Sequence, residues 1–543
     1  MLPRPEPTEG VPLARHCWSW LATGLLFLAL ALFGQRVHWV EEAGTAERDG
    51  FVAQAEQILG GELPRDPYRP LLYPLLIAGA AKTGLPPFVA ARLLSNLAAA
   101  ALAWLAWAFG RRLGGTATGV WAFALTAVNP NLWILGQHAS TDMLFAALAA
   151  ATLYAGFVYL ERPSWGAAVA AGACLGLAAF TRSNAPFLLP PLLAAWWLAP
   201  PPPAPLPLRG GGSRREGRLG HLMALLAVAL LLLVPHWALR RAVFGDPFHD
   251  ENWKNLAWKL HGYPDWSYLE RVPYASALEV VREDPLAVVR GGLSELGRFL
   301  TGGLPQLFGT WAHVLLLVLG IAVALRRRPL PTKWLLFAGG LFLTAIAFAF
   351  FTWGRLLLFL LPIGCALSCV PWRRPPFRAR LATGVAIAFV GLLAVKTFGF
   401  RLPAFIARHP YQEVAALRRL DASLPSGQAL AGTSPFLGRY LGREYVDLPD
   451  AFGAEIAEPR LWYDRVAPLL RQTGVAYVVA GPVDLRDRPP SLLGEASPVP
   501  WLQPVALEDG VTVWRVDFTT AAARPQQRTQ RDAGDAPPSP PAR

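Results

Sequence analysis

The sequence predicts a mainly α-helical membrane protein, a polytopic bundle of about 11 to 13 transmembrane helices followed by a small extracytoplasmic α/β domain. Of the 543 residues, 53% are hydrophobic and only 16% are charged. The apolar residues come in runs of about 16 to 22, which suits helices that cross a hydrocarbon core about 30 Å thick. After residue 400 the hydropathy falls, and strand-like segments flanked by glycine appear.

Three short basic loops set the predicted topology. The positive-inside rule places such loops in the cytoplasm. They explain much of the net charge of +13, and they do not form one basic stripe with interleaved aromatic residues, so nucleic acid is not expected as a partner. The loops read RGGGSRREGR (209–218), RRRP (326–329) and WRRPPFRAR (372–380).

The apolar runs follow one another from the N-terminus. The first is too long for a signal-peptide core and is predicted to remain as a membrane helix. An inside N-terminus requires an even number of crossings before residue 200, so the run at 165–180 or the run at 185–199 is expected to be half-length, merged or re-entrant. The runs lie near 17–34, 70–83, 88–109, 117–136, 142–160, 165–180, 185–199, 220–239, 304–325, 333–351, 354–371 and 381–398.

This order predicts a transmembrane domain over 1–399 with two external loops, 35–69 and 240–303. Residues 400–520 are expected to form a soluble α/β domain outside the cytoplasm. It would contain a helix in YQEVAALRRLDASLP and strands in GVAYVVAG and GVTVWRVDF. Residues 521–543 are rich in Pro, Arg, Gln and Ala and are expected to be disordered.

The first external loop combines charges with an amphipathic segment. In FVAQAEQILGG, apolar residues recur at helical spacing, which predicts a short helix lying in the membrane interface. Asp49 precedes this helix and could simply cap it. Arg69 precedes the next helix and could be a snorkelling anchor or a ligand for an anionic lipid head group, because guanidinium matches phosphate oxygens.

Several stretches in order along the chain resemble the GT-C superfamily of membrane glycosyltransferases. The closest branch holds protein O-mannosyltransferases and lipid A aminoarabinose transferases. Besides an acidic residue after the first helix and a basic residue before PLLYPLLIAG, the stretches are HASTDMLFAALAAATLYA (138–155), GLAAFTRSNAPFLLPPLL (176–193) and WGRLLLFLLP (353–362). The resemblance implies that Asp49 is the catalytic base and that Arg69 contacts the lipid phosphate. It leaves open whether Glu47 shares the catalytic role.

Other polar residues near the membrane extend the candidate site. Asp142 opens an apolar run and could cap it or bind substrate, and Arg182 is expected to pair with Asp142 and hold helices together. Arg355 is the second candidate for the donor phosphate, with a surface anchor as the alternative. Tyr68, Tyr73 and His249, the last in an aromatic-rich external loop, complete the predicted substrate-binding set.

These residues predict transfer of a sugar from a polyprenyl-phosphate donor to a hydroxyl of an extracytoplasmic glycan, lipid or protein. Asp49 would take the acceptor proton, the arginines would stabilise the leaving phosphate, and the anomeric centre would invert. The expected location is the inner (plasma) membrane, spanned many times. No cofactor is expected; a divalent metal is possible but not indicated, because the arginines can neutralise one phosphate.

Two other readings remain open from the sequence. A transporter or flippase of a lipid-linked sugar would explain charges within the membrane without chemistry. An oligosaccharide ligase or polymerase would also be a membrane enzyme, but its site usually relies on a large late loop with arginines instead of a first-loop acid.

Overall fold

A computed structural model describes most of the chain, which forms two compact units that divide near residue 408. The first unit is helical and the second contains a β-sheet. The described residues are 14–36, 50–66, 68–200, 214–261, 272–349, 351–352, 354–372, 376–407, 419–432, 445–448, 458–480, 499–508 and 511–519.

The helical unit is built from long apolar helices joined by short turns. Its α-helices are α1 (Ala14–Arg36), α2 (Phe51–Leu59), α3 (Leu72–Ala81), α4 (Pro87–Gly114), α5 (Thr116–Ala127), α6 (Pro130–Leu135), α7 (Thr141–Glu161), α8 (Trp165–Thr181), α9 (Leu189–Leu198), α10 (Arg214–Phe244), α11 (Lys254–His261), α12 (Ala277–Glu283), α13 (Pro285–Arg298), α14 (Leu304–Phe308), α15 (Trp311–Arg327), α16 (Pro329–Ala349), α17 (Leu360–Cys369), α18 (Pro376–Ala394) and α19 (Leu402–Ala407). Short 3₁₀ turns cover Ala185–Leu188, Gly354–Leu357 and Val370–Trp372, and π-helical turns cover Phe299–Gly303 and Val395–Arg401.

Within the described residues, six helices are long and apolar enough to cross a membrane. A seventh is reached if 285–308 and 311–327, which are bent by 99° to one another, count as one span. Five further apolar helices have only 10 to 17 residues, including those at 165–181 and 185–198. The predicted count of 11 to 13 is therefore reached only when these shorter helices are included, because proline and glycine divide several apolar runs.

Small residues let the helices of the bundle approach closely. On α8, a Cβ atom added at Gly172 would lie 2.3 Å from the carbonyl oxygen of Leu225, and one at Gly176 would lie 2.8 Å from that of Ala229. Both carbonyls belong to α10. Glycine spaced four residues apart on one helix face is a common way for membrane helices to bring their backbones together, so α8 and α10 pack through their main chains here.

The helix predicted in FVAQAEQILGG forms as α2, but its apolar face is covered by protein. Its N-cap position is Gly50, whose φ of 63° favours glycine, and no side chain caps the helix. Phe51 packs edge-on against Tyr73 with ring centroids 5.5 Å apart, and Ala55 is fully buried. Residues of α3 and α4 pack against this face, and the position of the helix in the membrane interface stays a prediction.

The C-terminal unit contains a five-stranded mixed sheet in the order β2-β1-β3-β5-β4. Its strands β1 and β3, and β1 and β2, are parallel, while β5 runs antiparallel to both β3 and β4. The predicted small α/β domain is confirmed, including both predicted strands; most of the predicted helix in YQEVAALRRLDASLP and the tail 521–543 lie outside the described residues. The elements are β1 (Leu430–Gly432), β2 (Tyr445–Asp447), α20 (Pro459–Thr473), β3 (Tyr477–Ala480), β4 (Leu502–Glu508) and β5 (Val511–Val516).

Candidate active site

The turn between α2 and α3 presents Arg69, and Asp66 organises it. Asp66 Oδ1 accepts hydrogen bonds from the backbone N–H groups of Tyr68 (2.8 Å) and Arg69 (3.0 Å), the geometry of a local aspartate turn. Its other oxygen accepts from Arg69 Nη1 at 3.0 Å and from Gln54 Nε2 at 2.8 Å. The Arg69 guanidinium also lies 5.8 Å from the centre of the Phe51 ring. Arg69 is thus held in one orientation while 23% of its side chain stays exposed.

Two side chains from a distant part of the chain clamp this turn. Arg240, near the end of α10, donates from Nη1 to the Asp66 carbonyl (2.5 Å) and from Nη2 to the Arg69 carbonyl (3.2 Å). Asn252 donates from Nδ2 to the carbonyl of Tyr68. Arg240 is only 5% exposed. Both residues were missed by sequence reasoning, because nothing local connects them with positions more than 170 residues earlier.

A second group forms around Asp142, at the start of α7. Ser140 is the N-cap of this helix, and it accepts the Asp142 N–H with its hydroxyl oxygen. The carboxylate of Asp142 is therefore available for Arg182, whose Nη2 donates to it at 2.6 Å and whose Nε donates to Thr141 Oγ1 at 2.9 Å. Asp142 is 1% exposed. The predicted pairing of Arg182 with Asp142 is confirmed, and Ser140 supplies the cap.

Arg355 joins the same carboxylate from a third direction. It lies in the 3₁₀ turn Gly354–Leu357 that follows α16, and its Nη1 is 3.9 Å from Asp142 Oδ2. His138 lies close to both charges, in the 136–140 segment between α6 and α7. The pKa of its imidazole is lowered to about 4, chiefly by burial and also by the positive charge of Arg355, against the opposing effect of Asp142. His138 is therefore neutral at physiological pH.

The two groups are joined by Asn252. The same Nδ2 that reaches Tyr68 also donates to Ser183 Oγ at 2.7 Å, and Ser183 directly follows Arg182. The Arg69 turn and the Asp142 cluster therefore share one hydrogen-bonded support. Hydrogen bonds and ion pairs thus link the Arg69 turn, Asn252, the segment of Arg182 and Ser183, Asp142 and Arg355.

The remaining predicted residues occupy different positions. His249 stacks on Phe244 with centroids 4.4 Å apart, and its Nε2 is 3.8 Å from Glu251. Tyr73 is fully buried, and its hydroxyl makes hydrogen bonds to the Ala91 carbonyl (2.8 Å) and to Ser95 (2.9 Å), so the structure places it in helix packing. Asp49 and Glu47 lie outside the described residues, immediately before α2. In the part of the chain that is described, no three His, Cys, Asp or Glu side chains are grouped to hold a metal ion.

Comparison with known proteins identifies the fold. Residues 68–239, less than half of the chain, match the family model described as dolichyl-phosphate-mannose-protein mannosyltransferase. The crystal structure of ArnT from Cupriavidus metallidurans bound to undecaprenyl phosphate is similar, with a TM-score of 0.54 and 15% identity over 91% of this chain and 98% of that one. ArnT is a GT-C glycosyltransferase. The chain has the GT-C fold.

Other solved structures with the GT-C fold agree. The oligosaccharyltransferase of Archaeoglobus fulgidus in the apo form has a TM-score of 0.54 and 14% identity over 87% of this chain and 70% of that one. The same enzyme tethered to an acceptor peptide containing the NVT sequon gives 0.54 and 14%, over 87% and 69%. No curated protein matches the sequence. The fold implied by the sequence resemblance is confirmed, and at these identities the similarity defines architecture alone.

Proposed function

We propose that the protein is a membrane glycosyltransferase that moves a sugar from a polyprenyl-phosphate donor to a hydroxyl group of an acceptor outside the cytoplasm. The observation that carries the proposal is that Arg69, paired with Asp66, and the cluster of Arg182, Arg355 and Asp142 are linked through Asn252 in a chain with the GT-C fold. Gly50, at the edge of the same region, directly follows Asp49 in the sequence. This reaction needs cationic side chains that bind the phosphate and an acidic side chain that takes the proton of the acceptor hydroxyl.

Arg69 and Arg355 are proposed to bind the donor phosphate. The donor is a phosphodiester that joins the polyprenol to the sugar, and its leaving group is the polyprenyl phosphate monoester. Two guanidinium groups can neutralise the negative charge that develops on this phosphate as the bond between the anomeric carbon and the phosphate oxygen breaks. Arg69 is held by Asp66 and Arg240 but keeps solvent exposure, so its orientation is fixed before substrate arrives. Such preorganisation lowers the cost of stabilising charge in the transition state.

Asp49 is proposed as the general base. It would remove the proton of the acceptor hydroxyl while that oxygen attacks the anomeric carbon, and the phosphate would leave from the opposite side, which inverts the anomeric centre. Glu47 is a second candidate for this step. Asp142, engaged by two arginines, is better suited to orient Arg355 beside the phosphate than to accept a proton.

His249 and Tyr68 are proposed to line the substrate-facing side of the site. Asn252 donates to the Tyr68 carbonyl and so connects this turn to the loop that carries His249. We assign it no chemical role. Aromatic and imidazole rings suit the apolar face of a sugar ring. Tyr73 is proposed to act only through packing, since its hydroxyl is engaged within the bundle.

The donor, the acceptor and the location follow as proposals. The similar structures are of ArnT bound to undecaprenyl phosphate and of the archaeal oligosaccharyltransferase tethered to an acceptor peptide, which supports a lipid-linked donor and a separate acceptor. We place the chain in the inner (plasma) membrane with its C-terminal unit outside. Because arginines supply the positive charge, no divalent metal is proposed, and activity should survive chelation by EDTA.

The test uses the purified full-length protein and radiolabelled polyprenyl-phosphate sugars. Asp49→Asn should lose at least about a hundredfold in rate, the usual contribution of a general base, whereas Glu62→Gln, an exposed acid in the same loop, should be unaffected. Glu47→Gln decides whether the second acid shares the role. Wild-type rates in Asp49→Asn contradict the base assignment; failure of the wild type with every lipid-linked donor contradicts glycosyl transfer and favours transport.

A further inference from the structure

Glu295 is a buried acid on a helix that the proposed chemistry does not use. It lies in α13, and only 4% of the residue is exposed. Apolar side chains on other positions of this helix, Leu286, Val289 and Leu293, are between 44% and 58% exposed. A carboxylate is costly to bury and remains buried only when it is well hydrogen-bonded, so its contacts indicate what it is for.

The carboxylate of Glu295 holds Thr352. Its Oε2 accepts from the Thr352 backbone N–H at 3.0 Å and from the Thr352 hydroxyl at 3.0 Å. That hydroxyl also lies 3.0 Å from the Glu295 carbonyl oxygen. The other carboxylate oxygen accepts from Arg298 at 2.5 Å. One side chain thus fixes both the main chain and the side chain of Thr352.

Thr352 stands three residues before Arg355, where the chain leaves α16 for the 3₁₀ turn Gly354–Leu357. The Arg355 guanidinium lies 3.9 Å from Asp142. Because only two residues separate Thr352 from Arg355, we expect a shift of the backbone at Thr352 to displace Arg355. Arg355 therefore reaches Asp142 at ion-pair distance from a segment that Glu295 anchors at Thr352.

Helix α13 itself is fixed against the end of α16. A Cβ atom at Gly292 would lie 2.7 Å from the Phe348 ring, so these two helices are in close contact one turn before Glu295. Lys259 of α11 donates to the carbonyl of Ala347, on the same end of α16. Both α13 and α11 therefore contact the end of α16, a few residues before Thr352.

We propose that Glu295 is a positioning residue for donor binding, acting through Thr352 to hold Arg355 beside Asp142. The inference rests on the proposed function, because Arg355 is assigned there to the donor phosphate. A misplacement of about 1 Å in a positioned group can cost roughly a hundredfold in rate. Glu295→Gln removes the charge and at least one acceptor while keeping the size of the side chain.

The experiment is a double-mutant cycle on the purified full-length enzyme. Glu295→Gln should raise the KM for polyprenyl-phosphate sugar and lower kcat, so that kcat/KM falls by at least about tenfold, because Arg355 is assigned to the phosphate both in the bound donor and as it leaves. The same substitution in an Arg355→Gln background should have no further effect. Glu283→Gln, an exposed acid on the neighbouring helix α12, is the matched control and should leave KM unchanged. Gly292→Ala should copy the KM effect, whereas Gly297→Ala, with open space at its Cβ position, should not.

The outcomes separate the two hypotheses. An unchanged KM in Glu295→Gln, or effects of Glu295→Gln and Arg355→Gln that multiply, overturns the positioning role while the wild type remains active. A purely structural role predicts a lower yield of folded protein with normal KM for the folded fraction, which also overturns it. A wild type that neither binds nor uses any polyprenyl-phosphate sugar overturns the proposed function and this inference with it.

Discussion

Arg182→Met tests the ion pair at the centre of the candidate site. The substitution keeps an apolar side chain of comparable length and leaves Asp142, 1% exposed, without its 2.6 Å partner. At an effective dielectric of about 20, a charge at 2.6 Å contributes roughly 6 kcal/mol of Coulomb energy, and Arg355 at 3.9 Å retains roughly 4 kcal/mol. Removing one partner of a buried pair usually costs about 3–5 kcal/mol. Because Arg355 remains, we expect a loss of about 3 kcal/mol.

The double variant separates pairing from side-chain loss. Asp142→Asn together with Arg182→Met removes both charges, so it should recover a large part of the lost stability. Arg162→Met, an exposed arginine at the end of α7, is the control and should change the free energy of unfolding by less than about 0.5 kcal/mol.

Thermal unfolding in detergent can be followed with a thiol-reactive fluorophore. Cys365 and Cys369 are completely buried in α17, so they react only when the helical unit opens, while the exposed Cys17 and the partly exposed Cys174 can be blocked first. Arg182→Met should unfold several degrees below the wild type. Equal midpoints for the two proteins, or a double variant less stable than the single one, would refute the stabilising role of the pair.

Two further predictions concern packing and pH. Gly172→Ala should destabilise the helical unit by about 2 kcal/mol, because its Cβ atom would lie 2.3 Å from the Leu225 carbonyl and α8 must move away from α10, and the same fluorescence assay measures it. His138 has a pKa of about 4 in the folded protein, below the ordinary value of 6.5, so the unfolded chain takes up the proton first as pH falls. The contribution of the neutral His138 imidazole to stability is complete above pH 6.5 and is lost as the pH falls from 6.5 to 4. The unfolding midpoint of His138→Gln should therefore decrease less than that of the wild type when the pH is lowered from about 7 to about 5.

Matched controls make both predictions decisive. Gly166→Ala, on the same helix as Gly172 but with open space at its Cβ position, should be neutral or slightly stabilising. A Gly172→Ala protein as stable as Gly166→Ala contradicts the close helix contact. For pH, identical midpoint losses in His138→Gln and the wild type show that His138 does not contribute.

Local sequence patterns predicted much of the fold. Hydropathy located most of the apolar helices, and glycine-flanked runs of β-branched residues located β3 and β5. The pairing of Arg182 with Asp142 was predictable because a charge inside a membrane helix needs a partner. Among the described residues, the count of 11 to 13 is reached only with the shorter apolar helices, because hydropathy records apolar runs without showing where proline or glycine ends a helix.

The supports of the candidate site could not be predicted in the same way. Arg240 binds a carbonyl 174 positions away, and Glu295 binds Thr352, 57 positions away. In the sequence, Arg240 directly follows an apolar run, and Glu295 is one of several acids in the predicted external loop 240–303. Only the tertiary structure shows that both are buried, and burial is what distinguishes them from solvated charges of the same type.

The close contact between α8 and α10 affects how mutational data on this protein should be interpreted. At Gly172 and Gly176 any side chain meets main-chain atoms of the partner helix, which cannot rotate away. If Asp49 is the base, as proposed, a saturation screen scored by activity would rank these glycines with Asp49 as intolerant positions. Measuring the amount of membrane-inserted protein for each variant would separate the two classes: we expect the glycine variants to be depleted from the membrane and the Asp49 variants to be present but inactive.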